Sequence, residues 1–455
     1  MGKYARYFYF DLDKVHYEHF YLYMLIAAIV ALYLVLKSQS KFKLEMFFLS
    51  FYLLTGSFNV LLNFKIPGIS FFEVQIVRVV YLLLLFRMVR DKVFSGTRFN
   101  FVGDKKLPWF VLPLFLYVLF LSLSVLYTGV EKGYVTIIDS VAFILIVFGI
   151  SSLKDQHSYD IIGKSIIIGA IASSIISLLQ LTINPFFLRI GDDRAAFGNF
   201  IRSNGIFDTE YFNSYYLIVA ITWVLVMVKN KILRAFLVTL FTLGVICSFQ
   251  RMSWIILFLV IVIYFIFIAK VSLARLLFAA VAGFAIILSL SVFYYQDIMK
   301  SSLVQDRLTD SVEGRQEYYS FVLNNIGKKP FLGFGDLKNE VYYENLLRIT
   351  GKRSRATAEE GDLHSGYFMS MFQYGIPAFV CFLLFVLLPI PYYLRLVKFN
   401  IYFMVPFLVS VLYFVGNLTN SFLFLKYLSV LYAIHIGIGM GVRKIETSQL
   451  TKITN

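Results

Sequence analysis

Apolar runs of about 20 residues recur along this chain between short polar turns, and one long polar stretch near 295–365 interrupts them. At 1.5 Å per residue, each run is long enough to cross the hydrocarbon core of a bilayer. Backbone groups in lipid must pair within their own segment, so each run is predicted to be a helix. Strands of alternating polarity, which a membrane barrel requires, do not occur. The predicted spans are 20–36, 44–63, 70–88, 108–126, 134–151, 160–182, 212–228, 232–249, 253–269, 274–294, 366–391, 400–416 and 420–441. The expected fold class is an all-α polytopic integral membrane protein of about thirteen transmembrane helices. The third and fifth spans are the least apolar, because Glu73, Arg78 and Asp139 fall inside them. Four parts follow: an N-terminal helix block (1–294), a large polar loop (295–365), C-terminal helices (366–445) and a polar tail (446–455).

Composition agrees, with 59% hydrophobic residues. The formal net charge of +15 would suit a nucleic-acid partner in a soluble chain, but its placement gives another account. Lys37, Lys41, Lys43, Arg87, Arg90, Lys154, Lys229, Lys231, Arg234, Arg395, Lys398, Arg443 and Lys444 all fall in one alternating set of short loops. The opposite set holds only Lys65, Lys132, Arg189, Arg194, Arg202 and a charge-balanced N-terminus. The positive-inside rule makes the first set cytoplasmic, which puts the N-terminus and the large loop outside and the C-terminus inside. No nucleic-acid partner is expected. Cys247 and Cys381 lie in apolar runs without metal-ligand spacing, so neither a metal nor a structural disulfide is expected. The N-terminus lacks the layout of a cleavable signal.

This parity collects polar chemistry on one face. Segments 183–211 and 295–365, and the turn holding Arg251, share the extracytoplasmic side. Within the large loop, Gln316–Ile326 reads as an amphipathic helix with Tyr318, Tyr319, Val322 and Ile326 along one side. Pro330 and the Gly333/Gly335 pair end it in a turn, and 336–350 reads as a second helix.

Each candidate has a plain reading and a functional one. Arg251 is either an interfacial arginine reaching headgroups or a guanidinium fork for phosphate. Arg315, after Gly314, is a solvated helix start or a second such cation; Arg348 is a weaker candidate of the same kind. His364 precedes a span at its outer end, where it is a structural interfacial histidine or a neutral base for a hydroxyl proton. Between Arg202 and Glu210, Asp208 or Thr209 is placed to cap the next helix. Functionally, Arg202 adds a cation, while Asp208 and Glu210 would hydrogen-bond a sugar or orient an arginine. Glu73, Arg78, Asp139 and Lys426 are costly in lipid unless paired, and internal salt bridges are their simpler role. Arg78 and Lys426 would otherwise face a lipid phosphate. Tyr367 sits beside His364 at the same mouth.

In order and sidedness these residues resemble the O-antigen polymerase and O-antigen ligase superfamily of bacterial polysaccharide assembly. The resemblance rests on Arg202/Gly205/Phe207, Arg251, Gly314-Arg315, Pro330-Phe331-Leu332-Gly333-Phe334-Gly335, His364-Ser365 and Gly375-Ile376-Pro377, between about 200 and 380. Gln250-Arg251 stands where that family commonly has Ser-Arg, and His364-Ser365 where it has His-Asn. The resemblance implies a metal-independent glycosyltransferase without cofactor, using an undecaprenyl-pyrophosphate-linked glycan at the outer face of the bacterial inner membrane. It implies catalytic roles for His364, Arg315 and Arg251. Arg202, Arg78, Asp208, Glu210, Arg348, Tyr367 and Lys426 would bind substrate. Partners would be the lipid-linked donor and acceptor, membrane lipids, a chain-length-determining protein and a flippase.

The leading expectation is a polymerase joining repeat units of O-antigen, capsule or exopolysaccharide. A ligase moving glycan to lipid A-core or protein shares the donor and differs in the acceptor. A transporter or flippase of lipid-linked glycan is the reading from another class, but no internal repeat of the transporter kind is evident. A non-catalytic scaffold would tolerate replacement of His364 and Arg251.

Overall fold

The computed structural model describes residues 17–62, 64–65, 73–95, 107–129, 133–190, 195–197, 200–267, 271, 319–320, 322–335, 365–420, 422 and 426–454. Their helices are α1 (Tyr17–Lys37), α2 (Lys43–Thr55), α3 (Ile76–Ser95), α4 (Val111–Thr128), α5 (Gly133–Ser152), α6 (Gln156–Thr182) and α7 (Glu210–Met227). After these come α8 (Lys231–Cys247), α9 (Arg251–Phe267), α10 (Gly366–Leu387), α11 (Pro389–Val397), α12 (Met404–Gly416) and α13 (Lys426–Thr454). Two small antiparallel ladders join β1 (Phe64–Lys65) to β2 (Glu73–Val74) and β3 (Ala195–Phe197) to β4 (Phe200–Ile201).

Eight helical stretches are long and apolar enough to cross a membrane: Glu18–Lys37, Lys43–Leu62, Val111–Thr128, Tyr134–Ser152, Gln156–Thr182, Glu210–Met227, Gly366–Val397 and Tyr427–Ile445. Arg251–Phe267 and Ile401–Gly416 are shorter apolar helices. The sequence-predicted spans coincide with helices except the tenth, 274–294, which lies outside the described residues. Several boundaries move, the last span among them, which begins at Lys426 rather than 420. The third span begins at Ile76 rather than 70, and Glu73 belongs to β2 instead of the helix. The tail continues α13 as helix to Thr454.

Side-chain caps set several starts. Asn230 accepts from the N–H groups of Ile232 and Leu233 to open α8, and Asp155 accepts from His157 to open α6. Helices approach closely where glycine leaves room. Along α13, a Cβ at Gly437 would lie 2.7 Å from the Val147 carbonyl of α5, so these two helices pack backbone to backbone. The α7–α13 contact holds a buried polar pair, in which Trp223 Nε1–H donates to His435 Nε2 at 2.9 Å. That bond fixes the proton of the imidazole on Nδ1, which faces the Leu431 carbonyl at 2.6 Å.

The bundle has two polar ends. At one, Ser40 meets Ser158, Arg87 donates to the Ser152 carbonyl, Tyr402 donates to Asp160, and Lys444 reaches Ser151. At the other lie the 3-10 turn Gly56–Leu62, residues 202–209, the turn 248–250, and residues 365–366 against 417–420. The second end holds the candidate chemistry.

Candidate active site at one end of the bundle

The segment Arg202–Thr209 is built into the bundle. On α6, Ser173, Ser177 and Gln180 recur at i, i+4 and i+7, so they share one face. Gln180 Oε1 accepts the N–H groups of Asn204 and Gly205, both at 3.0 Å, while Ser173 Oγ accepts that of Ile206 at 3.2 Å. Ser203 Oγ donates to the Ser177 carbonyl, and Asn213 Nδ2 donates to Ser177 Oγ. Gly205 has a φ of 57°, and a Cβ there would lie 2.7 Å from Asn213 Oδ1. Only glycine fits. From the other side, Ser57 N–H donates to the Ile206 carbonyl at 3.0 Å, which fixes the 3-10 turn after α2 to the same loop. A loop whose backbone bonds are spent on buried side chains is a rigid mount for the residues it carries.

Those residues are charged. Arg202 forms an ion pair with Glu210 at 2.7 Å, with the two side chains 19% and 11% exposed. Thr209 caps α7 by accepting from Phe212 N–H, which settles the choice between Asp208 and Thr209. Asp208 Oδ1 accepts from Ser57 Oγ at 3.0 Å. Burial pushes the Asp208 carboxyl above its ordinary value, against the Ser57 hydroxyl and nearby backbone N–H groups that favour the charged form; the Glu210 charge adds to the rise. Of the two carboxylates, Glu210 orients the arginine and Asp208 is held separately.

The Arg251 turn is tied to this loop by Ser203 N–H, which donates to the Cys247 carbonyl at 3.0 Å. Phe249 takes a left-handed φ of 48°, closing the α8–α9 hairpin. Gln250 Oε1 accepts from Ser214 Oγ at 2.9 Å and Ser253 Oγ at 2.6 Å, anchoring the turn to α7. Arg251, the first residue of α9, is exposed. On the far side of α7, Asn420 Nδ2 donates to Tyr215 OH, and the Asn417 and Asn420 carbonyls accept from Gly366 N–H. The start of α10, next to position 364, therefore belongs to the same end.

Pro330–Gly335 docks on α10 through a local exchange of partners. Pro377 has no N–H, so the Gln373 carbonyl is left unspent and accepts from Gly335 N–H at 2.8 Å and Ser124 Oγ at 2.9 Å. Ile376 N–H turns to the Pro330 carbonyl at 2.8 Å, and the Phe372 carbonyl takes Phe334 N–H at 2.9 Å. Gly375 makes the break, with φ 89° and ψ 172° inside the helix. Phe334 stacks on Phe372 with ring centroids 4.6 Å apart. The amphipathic helix reading holds for 322–326, where Val322 and Ile326 are buried and Leu323 faces out.

The other expected residues stand as follows. Arg78 is buried near the start of α3, and its charge and that of Asp139 both act on the Tyr81 hydroxyl, in keeping with an internal polar cluster. Tyr367 is buried with its hydroxyl donating to the Phe414 carbonyl at 2.8 Å. Lys426 is the first residue of α13, and its side chain lies outside the described residues. His364, Arg315 and Arg348 also lie outside them. Sequence reasoning passed over Ser57, Gln180, Asn213 and Asn420. The i, i+4, i+7 polar face of α6 could have pointed to Gln180.

Helices of membrane-spanning length, with a charged loop mounted at one end, define a multi-pass membrane protein. Residues 235–383 match the family model described as O-antigen ligase, and this stretch holds the Arg251 turn, the docked Pro330–Gly335 turn and most of α10. That match is consistent, over this region, with the O-antigen polymerase and ligase superfamily. No curated protein matches the chain.

Proposed function

We propose that this protein is a polysaccharide polymerase of the inner membrane, joining undecaprenyl-pyrophosphate-linked repeat units at its outer face. The observation that carries the reading is the gathering of the Arg202–Glu210 pair, Asp208 and the Arg251 turn at one end, in a chain whose residues 235–383 match the O-antigen ligase family. The leaving group of such a transfer is a pyrophosphate, whose growing negative charge requires fixed cations. Arg251 and Arg315 supply them without a metal, because guanidinium stays charged and binds phosphate oxygens in pairs. Arg202, held by Glu210, is a third cation, and Arg78, Arg348 and Lys426 are lesser ones. Asp208 hydrogen-bonds a sugar hydroxyl, and Tyr367 supports the mouth of α10. His364 takes the proton from the acceptor hydroxyl as that oxygen attacks the anomeric carbon and the glycosyl–phosphate bond breaks.

The ligase reading stands second, favoured by the description of the matching family. One assay separates them. Purified protein receives lipid-pyrophosphate-linked repeat units in EDTA, as wild type and as Arg251→Ala, Arg315→Ala and His364→Ala. A ladder of lengthened glycan on lipid, reduced about 10²–10³-fold per variant, is the expected result. Transfer only after lipid A-core is added would make the protein a ligase. Neither product from the wild type would return the flippase reading.

A further inference from the structure

The segment that docks on α10 runs down that helix and comes back. Tyr319 stacks on Phe368 with ring centroids 4.4 Å apart, the Pro330 carbonyl accepts from Ile376 N–H at 2.8 Å, and Phe334 stacks on Phe372. Its partners along α10 are thus 368, then 376, then 372, so the chain reverses at Pro330–Phe331. From 368 to 376 a helix rises about 12 Å, which is the depth of the dip. A Cβ at Gly375 would lie 2.5 Å from the Phe331 carbonyl carbon, so the tip sits directly on the helix break.

Two rulers place this tip at membrane depth. On α10, no residue from 366 to 375 is exposed, whereas Ile376, Val380, Leu384 and Leu387 are, at i, i+4, i+8 and i+11 of one face. This lipid-facing stripe begins at Ile376. From there to the exposed Arg395 of α11 the helical path measures about 29 Å, close to the thickness of the hydrocarbon core. The second ruler is α4, whose Val111–Thr128 is only about 27 Å long and needs nearly all of that length to cross. Ser124 Oγ, one turn inside its end, donates to the Gln373 carbonyl, and Ile376 lies further along α10, deeper still.

The tip has the composition for that depth. Phe331 is 73% exposed at the head of the stripe, and Lys328 and Lys329 just before it are exposed too. Pro330 brings no N–H, and its carbonyl is taken by Ile376. The N–H groups of Gly333, Phe334 and Gly335 go to the Lys329, Phe372 and Gln373 carbonyls. A turn bonded in this way suits the acyl boundary, where unpaired backbone groups are costly. We propose that Lys328–Phe331 anchors the docked segment in the leaflet next to the site, with the Phe331 ring among acyl chains and the two ammonium groups on the phosphates of anionic phospholipid. Aromatic rings settle at this level, and lysine stems lie along apolar surface while their charged heads reach the headgroups. Lys328 Nζ already points back up the limb, donating to Asn325 Oδ1 at 2.9 Å. A sugar or protein partner would have to reach a ring set at the head of a lipid-facing stripe, so the position selects lipid. The anchor holds whichever reaction the site performs.

Spin labelling of the full chain in lipid nanodiscs tests the proposal. Cys247 and Cys381, the two cysteines of the chain, are replaced by Ala, and one label is placed at Phe331→Cys. Val380→Cys serves as the lipid reference and the exposed Lys229→Cys as the aqueous one. Collisions with oxygen should exceed those with a nickel chelate at 331 and 380, and the order should reverse at 229. In discs of phosphatidylcholine with phosphatidylglycerol, label 331 should sit deeper than in phosphatidylcholine alone, and Lys328→Gln with Lys329→Gln should abolish that difference. Nickel in excess at 331 would put the tip in water, and few collisions with either reagent would mean that protein covers it; both overturn the proposal. A depth indifferent to phosphatidylglycerol would overturn the assignment to anionic lipid. A wild-type measurement needs no variant to fold. Phospholipid with a diazirine on its acyl chain should crosslink to the peptide holding Phe331, and crosslinks confined to the α10 stripe would equally overturn the anchor.

Discussion

Gly375→Ala is predicted to break the joint between the Pro330–Gly335 turn and α10, and two separate penalties set its size. The φ of 89° with ψ 172° lies in a positive-φ region essentially open to glycine alone, where an L residue costs at least about 1–2 kcal/mol. The added Cβ would also lie 2.5 Å from the Phe331 carbonyl carbon and 2.9 Å from Leu332 N. Those are backbone atoms, which no rotamer change can move aside. Relief requires the turn to lift away, with loss of the Phe334–Phe372, Gly335–Gln373 and Ile376–Pro330 backbone bonds. At about 1 kcal/mol net for each bond, the sum is on the order of 4–5 kcal/mol. Two other glycines separate the penalties. Gly129 has a φ of 60° but nothing within 4 Å of its Cβ, so Gly129→Ala should cost about 1–2 kcal/mol from conformation alone. Gly327 has open space and a φ outside the left-handed region, so Gly327→Ala should be neutral or stabilise by about 0.4–1 kcal/mol. The assay is thermal unfolding in detergent, paired with mapped trypsin cleavage after Lys328. The order of midpoints should be Gly327→Ala, wild type, Gly129→Ala, Gly375→Ala, with faster cleavage after Lys328 only in the last. Equal midpoints for Gly375→Ala and Gly129→Ala, with unchanged cleavage, would refute the docking argument.

Two further predictions concern the charged loop. Arg202→Met and Glu210→Gln should each lower stability, and their double-mutant cycle should return a coupling of about 1–2 kcal/mol. That lies between the values for exposed and for fully buried pairs, as the partial exposure of both groups requires. A coupling near zero would show that Glu210 does not hold the arginine. Asp208 has a carboxyl raised above the ordinary 3.8, so the folded state binds its proton more tightly than the unfolded chain does. Its contribution therefore becomes less favourable as pH rises from 3.8 to the raised folded value, and it stays unfavourable above. Relative to wild type, Asp208→Asn should gain stability as pH rises through that window, checked by paired thermal midpoints across it. A difference that does not change with pH would remove burial as the cause.

Much of the architecture was legible because lipid leaves few choices. Apolar runs long enough to cross must be helical, and among the described residues the predicted spans recovered the helices except α11, which lies mostly between the spans 366–391 and 400–416. The third span failed at its start because Glu73 and Val74 pair with Phe64 and Lys65. That bond to another segment leaves no periodic signal. The last predicted span stops at 441 and the tail 446–455 reads only as polar, yet α13 continues through Thr454. The motifs of 330–335 and 373–377 were visible as glycine and proline patterns, while their mutual docking was not.

By itself, then, the sequence determined the helical membrane class, the two polar ends and the residue types available at one of them. Those depend on local hydrophobicity and charge, which each segment carries alone. Tertiary structure decided which carboxylate holds Arg202, what Tyr367 does with its hydroxyl, and why Gly375 must lack a side chain. Each of these depends on ångström separations in space that hydropathy does not encode.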